Sequence, residues 1–195
     1  MEEKITVIKK VRDYVLWEMA QNDAAHDGGH VARVVSLTRQ LCTMYPEADD
    51  YRAELLAWIH DMSDDKLATN REASSLMEML LSLGVAPEDA EFVIDALPYI
   101  SYRKYPRLGP EIPLEIRIVQ DGDRIDAMGA IGIGRTFAFG GAKARPLEES
   151  IKHFDEKLLR LYDLLGTEGG KLLAKPRYEF LKAFYHQFQQ EFHRK

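Results

Sequence analysis

The chain has 195 residues, which is enough for one sizeable hydrophobic core and too few for two independent ones. Its apolar content of 46% and charged content of 30% are ordinary for a globular protein, and its net charge of −6 argues against general nucleic-acid binding, which depends on clustered lysine and arginine. No secretory signal is evident and no apolar run approaches the roughly 20 residues that cross a bilayer, so we expect a cytoplasmic protein without a membrane partner.

Helical periodicity dominates the first half of the chain. Apolar residues and one histidine recur at spacings of three and four, which predicts four helices that each bury one face. The positions are Ile8, Val11 and Val15; His30, Val34, Leu37 and Leu41; Leu55, Leu56 and Ile59; and Leu76, Leu80 and Leu83. Gly84 is a plausible C-cap of the fourth helix, and Ala86-Pro87 followed by two acids indicates the start of a fifth. The single cysteine, Cys42, lies in an apolar stretch and is predicted to be a buried structural thiol.

The second half of the chain combines helical patterns with two irregular stretches. Helices are predicted at Leu114–Met128, Leu147–Leu165 and Tyr178–Phe192. Irregular loops are predicted at Ser101–Pro113, which contains three prolines, and at the glycine-rich segment Gly129–Pro146. Long loops in a compact helical domain are often functional.

Strand signals are weak along the whole chain. No alternating run of apolar and polar residues has a useful length, and no hairpin dipeptide joins two such runs. The predicted fold class is therefore all-α. Neither irregular stretch separates two segments that could each bury a core, so we expect one domain over residues 1–195. Its motif-bearing core is expected at residues 20–165, with a C-terminal helix at residues 176–193 packed on it.

Four separated pieces of the chain carry chemically active side chains. They are His26-Asp27-Gly28-Gly29-His30, His60-Asp61, Asp64-Asp65-Lys66 and Asp121-Gly122-Asp123-Arg124-Ile125-Asp126. Imidazole and carboxylate are the ligand types that hold a divalent metal ion of intermediate hardness. His60 and Asp61 are adjacent, so they cannot point the same way from a regular helix, but at a helix end both can converge on an ion. A metal ion would also remove the cost of burying the ionised aspartate without a partner.

These pieces belong to longer motifs that resemble a known family. The motifs are HDGGHVARVVSL, AWIHDMSDDK, SYRKYP and VQDGDRIDAMGAIGIGRTF. Together they are similar to the HD-domain superfamily of metal-dependent phosphohydrolases, and within it to the bacterial group related to nucleotide pyrophosphohydrolases. That family is recognised by a His, then a His-Asp pair, then an Asp. A lone His-Asp pair is common, whereas the ordered set is specific, and it implies a helical HD fold with one metal site.

The resemblance implies a set of metal ligands in this chain. They are His30, His60, Asp61 and Asp123. Asp123 is assigned to the last position because it follows a small residue and precedes Ile125 by two. Asp121 lies two residues earlier and is the alternative ligand. Asp126, one helical turn after Asp123, is predicted to support a ligand or to cap the helix.

The resemblance also implies catalytic groups around the metal ion. His26 lies four residues before His30, as in HD phosphodiesterases, where the first His protonates the leaving group. The unperturbed pKa of histidine, about 6.5, suits this role. The alternative for His26 is a loop histidine bonded to nearby backbone. Asp61 would help to deprotonate the attacking water, and Lys66 could take the place of His26.

Three cations near the motifs are predicted to contact phosphate. They are Lys66, Arg103 and Arg124. Fixed cations of this kind meet the charge that develops on phosphoryl oxygens during transfer. Surface ion pairs with the many nearby acids are the alternative for the two arginines.

The resemblance further implies a cofactor, a partner and a reaction. The cofactor is one divalent metal ion, with Mn²⁺ first because mixed nitrogen and oxygen ligation suits it; Mg²⁺, Fe²⁺, Ni²⁺, Co²⁺ and Zn²⁺ remain open. The partner is a small phosphorylated molecule, with nucleotides first and nucleic acid excluded, and an oligomer is left open. The leading reaction converts a nucleoside triphosphate to its monophosphate and pyrophosphate. A phosphodiesterase or 5′-nucleotidase on the same site, or a non-catalytic nucleotide sensor, are the alternatives.

Overall fold

The structure is a computed structural model that describes residues 2–20, 28–62 and 72–192. These ranges contain nine α-helices, two short 3-10 helices and no strand, which confirms the predicted all-α fold. The α-helices are α1 (Glu2–Met19), α2 (Gly28–Cys42), α3 (Asp50–Ile59), α4 (Ala73–Ser82), α5 (Pro87–Ile100), α6 (Leu114–Asp126), α7 (Gly129–Ala142), α8 (Leu147–Glu156) and α9 (Glu168–Phe192). None of the described helices is long and apolar enough to cross a membrane.

Leu37 and Leu41 of α2 join a second core with the later helices, whereas the other periodic apolar positions of the first half form the first hydrophobic core. All but two of the predicted positions are buried, and the exceptions, Ile8 and Leu83, pack half-buried against the same core. Full burial of a side chain such as Leu56 or Leu80 contributes about 1.5–3 kcal/mol, so this spacing is what holds the early helices together. Gly84 adopts φ +93°, the left-handed conformation expected after a helix end, and α5 begins at Pro87 as predicted.

A second core joins the later helices, and α6 lies between the two. Ile116 and Val119 of α6 point into the first core, whereas Ile118 and Ile125 point into the second. α2, α3 and α6 also pack directly against one another. Because α6 is enclosed on several sides, its polar side chains can be fixed in place near its C-terminal end.

The prediction of an irregular loop over Gly129–Pro146 was wrong, because most of that segment is helix α7. Close packing requires some of its glycines: a Cβ on Gly132 would overlap the carbonyl of Ala127. Ile133 is buried in the second core, and Phe137 packs half-buried against it. Tertiary burial therefore overrides the low helix propensity of glycine in this segment. The other predicted irregular stretch, Ser101–Pro113, contains turns and no helix, as expected.

Two predicted helix boundaries also differ from the structure. The helix predicted over Leu147–Leu165 ends at Glu156 and is continued by 3-10 helices at Leu158–Arg160 and Tyr162–Leu164. The C-terminal helix begins at Glu168, ten residues before Tyr178 and across two glycines and a proline. Its first turn is capped by Thr167, whose Oγ1 accepts a hydrogen bond of 2.9 Å from the backbone N–H of Gly170.

Candidate metal centre

The candidate metal centre lies where three helix ends meet. His30 is in the first turn of α2, and Asp123 is in the last turn of α6. His60 ends α3 with helical backbone angles, φ −55° and ψ −32°, and Asp61 follows it in a turn closed by a bond from Met62 N–H to the Ile59 carbonyl. The change of backbone direction after α3 lets two adjacent side chains face the same point, as expected for a His-Asp pair at a helix end.

Ligand atoms of His30, His60 and Asp61 lie within 4.8 Å of one another, and Asp123 approaches both histidines. His30 Nε2 lies 3.4 Å from Asp61 Oδ2 and 3.3 Å from Asp123 Oδ1. His60 Nε2 lies 3.4 Å from Asp61 Oδ1 and 3.9 Å from Asp123 Oδ1. The two imidazole side chains are buried, while those of Asp61 and Asp123 are 21% and 33% exposed. The centre is therefore closed on its histidine side and open on its carboxylate side.

Each imidazole is oriented by a hydrogen bond at the nitrogen that faces away from the centre. His30 Nδ1 lies 2.7 Å from Asp126 Oδ2, and His60 Nδ1 lies 2.8 Å from the Ala57 carbonyl. A proton on each Nδ1 leaves the Nε2 lone pair directed inward, which is the usual arrangement of histidines that bind metal. The buried His60 Nε2 has no hydrogen-bond partner among the described residues.

The buried and unpartnered Nε2 of His60 indicates whether these residues suit a metal ion. Leaving such an acceptor unsatisfied costs about 1–3 kcal/mol, so native proteins rarely do it without a reason. Two imidazole nitrogens with two carboxylates form the mixed donor set typical of divalent transition metals. A divalent ion among His30, His60, Asp61 and Asp123 would satisfy His60 and offset the two negative charges, so the residues fit a metal ion.

The electrostatics of the centre favour a positive charge among its carboxylates. Burial alone would lower the pKa of His30, but hydrogen bonds to Asp123 and Asp126 and the charge of Asp61 outweigh it and raise the pKa to about 9. Burial would raise the pKa of Asp123, yet the hydrogen bond and charge of His30 hold it well below its ordinary value. A proton on His30 thus compensates the carboxylates, and a metal ion would have to displace that proton.

Asp121 and Asp123 lie in very different surroundings although they are two residues apart. Asp121 is fully buried and accepts bonds from the Gly166 N–H at 2.8 Å, the Thr167 N–H at 2.9 Å and Thr167 Oγ1 at 2.7 Å. These contacts fix the turn that precedes α9, and we call Asp121, Gly166, Thr167 and Gly170 the Asp121 junction. Between the two aspartates, only Asp123 faces the imidazoles.

Two arginines that were not among the predicted site residues lie beside the centre. Both bind Asp126, whose side chain is fully buried: Arg33 Nε is 2.7 Å from Oδ1, and Arg135 Nη1 is 2.9 Å from Oδ2. Burial would raise the pKa of Asp126, but the hydrogen bonds and charges of His30 and Arg33 outweigh it and lower the pKa to about 2. Arg33 could have been found from the sequence, because it lies one helical turn after His30 on the same face. Arg135 could not, because its segment was predicted to be a loop.

The structure describes two of the residues predicted to contact phosphate, Arg124 and Arg103, and it does not describe the predicted general acid, His26. Arg124 is buried, with one guanidinium nitrogen on the Leu164 carbonyl and another on the Tyr105 carbonyl. This geometry does not fit a phosphate contact, because the residue is only 2% exposed and two of its nitrogens already bond backbone oxygens. Arg103 is exposed in the turn after α5, and its role stays a prediction. His26 and Lys66 lie outside the described residues, and so do Asp64 and Asp65.

Comparison with known proteins identifies a relative of this chain by sequence. No family model matches the chain. The YpgQ protein of Bacillus subtilis (strain 168) is 34% identical over 190 residues, a match that covers 94% of this chain and 92% of that protein.

Solved structures show the same fold over the same length. The crystal structure of Bacillus subtilis YpgQ in complex with ADP has a TM-score of 0.84 and 31% identity, covering 97% of this chain and 96% of the other. An HD-superfamily hydrolase from Bacillus thuringiensis has a TM-score of 0.77 and 30% identity, covering 98% of this chain and all of the other. A Lactobacillus plantarum protein has a TM-score of 0.82 and 27% identity, covering 96% and 97%.

Proposed function

The chain belongs to the HD superfamily of hydrolases, and from that premise we propose that it is a metal-dependent phosphohydrolase that acts on nucleotides. The observation that carries the proposal is the convergence of two oriented imidazoles and two carboxylates, with nitrogen–oxygen distances of 3.3–3.9 Å. The complex of the related YpgQ with ADP supports a nucleotide as the ligand class.

One divalent ion would be held by His30 and His60 through Nε2 and by Asp61 and Asp123 through carboxylate oxygens. Mn²⁺ is our first choice because the donor set mixes nitrogen and oxygen. When bound, such an ion makes water more acidic and stabilises negative charge on a phosphoryl group. Asp121 is not proposed as a ligand, because its oxygens are used by the Asp121 junction.

The protein residues would orient the reactants and move one proton. Asp61 lies beside both imidazoles and is partly exposed, so it is placed to accept the proton of the attacking water. Asp126 holds His30 in the orientation that presents Nε2, Arg33 helps to keep Asp126 ionised, and Arg135 forms a further ion pair with it. The two guanidinium groups also add positive potential on the histidine side of the centre, which favours an anionic substrate.

We propose cleavage of a nucleoside triphosphate between its α- and β-phosphates. A water oxygen forms a bond to the α-phosphorus, the bond from that phosphorus to the bridging oxygen breaks, and pyrophosphate leaves. The water proton goes to Asp61, and His26 would supply a proton to the leaving oxygen. The roles of His26, Lys66 and Arg103 rest on the family resemblance alone.

The test is turnover by the purified protein with metal content measured in parallel. Phosphorus NMR over nucleoside triphosphates, monophosphates and cyclic diesters with added Mn²⁺ should show pyrophosphate released from a triphosphate. His60→Ala should lose both turnover and bound metal. His186→Ala is the matched control, because His186 is an exposed histidine of α9 whose Nε2 bonds Gln190 on the same helix.

Other products would change the proposal in defined ways. Release of orthophosphate or tripolyphosphate would mean that a different bond of the triphosphate is cleaved. Turnover of diesters or monophosphates alone would mean that the substrate is not a triphosphate. If none of these compounds were hydrolysed although nucleotide still bound, the protein would be a nucleotide sensor, and the proposal of an enzyme would be wrong.

A further inference from the structure

A cleft that is separate from the metal centre is lined by three basic side chains. It lies between residues 107–110, which precede α6, and the turn that leads into α9, and its volume is about 330 Å³. Arg107 comes from the first of these segments, Lys171 from the start of α9 and Arg117 from α6. None of the proposed metal ligands lines this cleft, which we call the basic cleft.

Arg117 is held in place by backbone oxygens of both segments that form the cleft. Its Nε donates a hydrogen bond of 3.1 Å to the Ile112 carbonyl, and its Nη1 lies 3.5 Å from the Gly166 carbonyl. A guanidinium group carries five N–H donors, so these two contacts fix the group and leave further donors. The side chain is half-buried, whereas that of Arg124 is closed off from solvent, so Arg117 can meet a ligand in the cleft.

The other two cations of the basic cleft are weakly tied to acids. Arg107 is exposed and makes no hydrogen bond or ion pair with another described residue. Lys171 Nζ lies 3.1 Å from Glu168 Oε1, but this carboxylate is 88% exposed, and such a pair contributes only about 0–1 kcal/mol. The second acid is Glu111, whose carboxylate packs close to Gly109. Among the described residues at the cleft, three cations therefore outnumber two acids, although the whole chain has a net charge of −6.

Another cleft of the molecule has the opposite balance of charge. Its volume is about 480 Å³, and its charged lining consists of Arg39, Asp50 and Glu54. The Arg39 guanidinium is taken up by Glu54, with Nε 2.8 Å from Oε2 and Nη2 bonded to Oε1. Two acids and one paired cation do not attract an anion, so an excess of cations is a particular property of the basic cleft.

We infer that the basic cleft is a second anion site, which binds a small molecule through its diphosphate group. Each phosphate group carries about −1.5 to −2 charges near pH 7, so a diphosphate offers about three negative charges to the three cations. Arginine binds phosphate oxygens through strong, charge-assisted hydrogen bonds. The described residues that line the cleft include no aromatic side chain, so the site recognises the phosphates and not a base. Because no proposed metal ligand lines the cleft, the inference does not depend on the proposed function.

Titration of the full chain, as purified, with inorganic pyrophosphate tests the inference when backbone amide signals are followed by two-dimensional NMR. The signals of Gly109 and Gly166 should shift and then saturate, because both residues line the basic cleft. Arg117→Gln should weaken the binding measured at these signals about 10- to 100-fold, which is the effect of losing one charge-assisted hydrogen bond. Arg117→Lys should recover part of the affinity, because it keeps the charge.

Two further variants separate a loss of binding from a loss of structure. Arg107→Gln should weaken binding about 2- to 5-fold, and a structural role cannot explain this loss, because Arg107 has no partner among the described residues. Arg39→Gln is the matched control, since it removes the same group from the other cleft, and it should leave the affinity unchanged. ADP should bind at the Gly109 and Gly166 signals about as tightly as pyrophosphate, because the nucleoside has no ring there to stack on.

Each outcome supports the inference or overturns it. Shifts at Asp61 and Asp123 with none at Gly109 and Gly166 would overturn it, and so would equal affinity of wild type and Arg107→Gln, even if Arg117→Gln failed to fold. ADP that bound more than about 5-fold tighter than pyrophosphate would show that a base is stacked, against the inference. Protein that binds pyrophosphate in the cleft but hydrolyses no nucleotide would disprove the proposed function and leave the anion site standing, and turnover without these shifts would do the reverse.

Discussion

Two carboxylates on one helix, Asp121 and Asp123, lie in opposite surroundings, and the comparison separates a structural acid from a candidate metal ligand. Three donors from the turn before α9 satisfy Asp121 in the Asp121 junction. Asp123 instead faces a buried imidazole nitrogen of His60 that has no hydrogen-bond partner among the described residues. A buried acid with all its donors stabilises the fold, whereas an unsatisfied buried nitrogen beside carboxylates is the setting in which a metal ion would be held.

The largest effect is expected from removing Asp123. Asp123→Ala should abolish metal retention and lower turnover by at least about 1,000-fold, which corresponds to about 4 kcal/mol of transition-state stabilisation. The folded structure should survive, because the donors of the turn before α9 bond Asp121 and not Asp123. Elemental analysis and phosphorus NMR on the same preparation measure the two effects. Full metal occupancy in this variant would remove Asp123 from the ligand set.

The opposite pattern is expected from the neighbouring acid. Asp121→Ala leaves the Gly166 and Thr167 N–H groups buried without an acceptor, so we expect the free energy of unfolding to fall by about 3 kcal/mol. Metal bound to the folded fraction should remain close to wild type. Urea denaturation measures the first quantity, and metal content after gel filtration measures the second. If Asp121→Ala lost its metal while keeping its stability, the roles of the two acids would be exchanged.

A smaller effect on metal affinity is expected from changing Asp126, which orients the proposed ligand His30 and is not itself a proposed ligand. Asp126→Asn weakens the hydrogen bond to His30 Nδ1 and the ion pairs with Arg33 and Arg135. We expect metal affinity to fall by about 10- to 100-fold, the usual consequence of changing the partner of a metal-binding histidine. Titration of the metal-free protein with Mn²⁺ gives the affinity directly. An unchanged affinity would mean that packing alone orients His30.

Some residues of the candidate site could be predicted from the sequence and others could not. His30, His60, Asp61 and Asp123 could be predicted because each sits in a local motif at a helix end. Arg124 was assigned to phosphate because it follows Asp123, but adjacent helical residues point about 100° apart, and its side chain faces Leu164 and Tyr105 instead.

Residues that reach the centre through tertiary packing gave no comparable signal. Arg135 comes from α7, a helix that its glycine content concealed. The early helices could be predicted because their apolar residues recur at helical spacing, and that local pattern holds whichever of the two cores the residues enter. Local patterns therefore predict the candidate ligands and most of the first core, whereas the position of Arg135 depends on long-range packing.

The smallest effects come from two glycines, one inside the Asp121 junction and one outside it. A Cβ on Gly170 would overlap Asp121 Oδ2, and the buried carboxylate cannot move away without losing its donors. Gly170→Ala should therefore lower the free energy of unfolding by about 2 kcal/mol, as overpacking usually does. A Cβ on Gly134, which is exposed within α7, would meet open space, so Gly134→Ala should raise that free energy by up to about 1 kcal/mol through helix propensity. Equal urea midpoints for the two variants would show that the turn before α9 adjusts to the added methyl group at little cost. The Asp121 junction would then not be rigid.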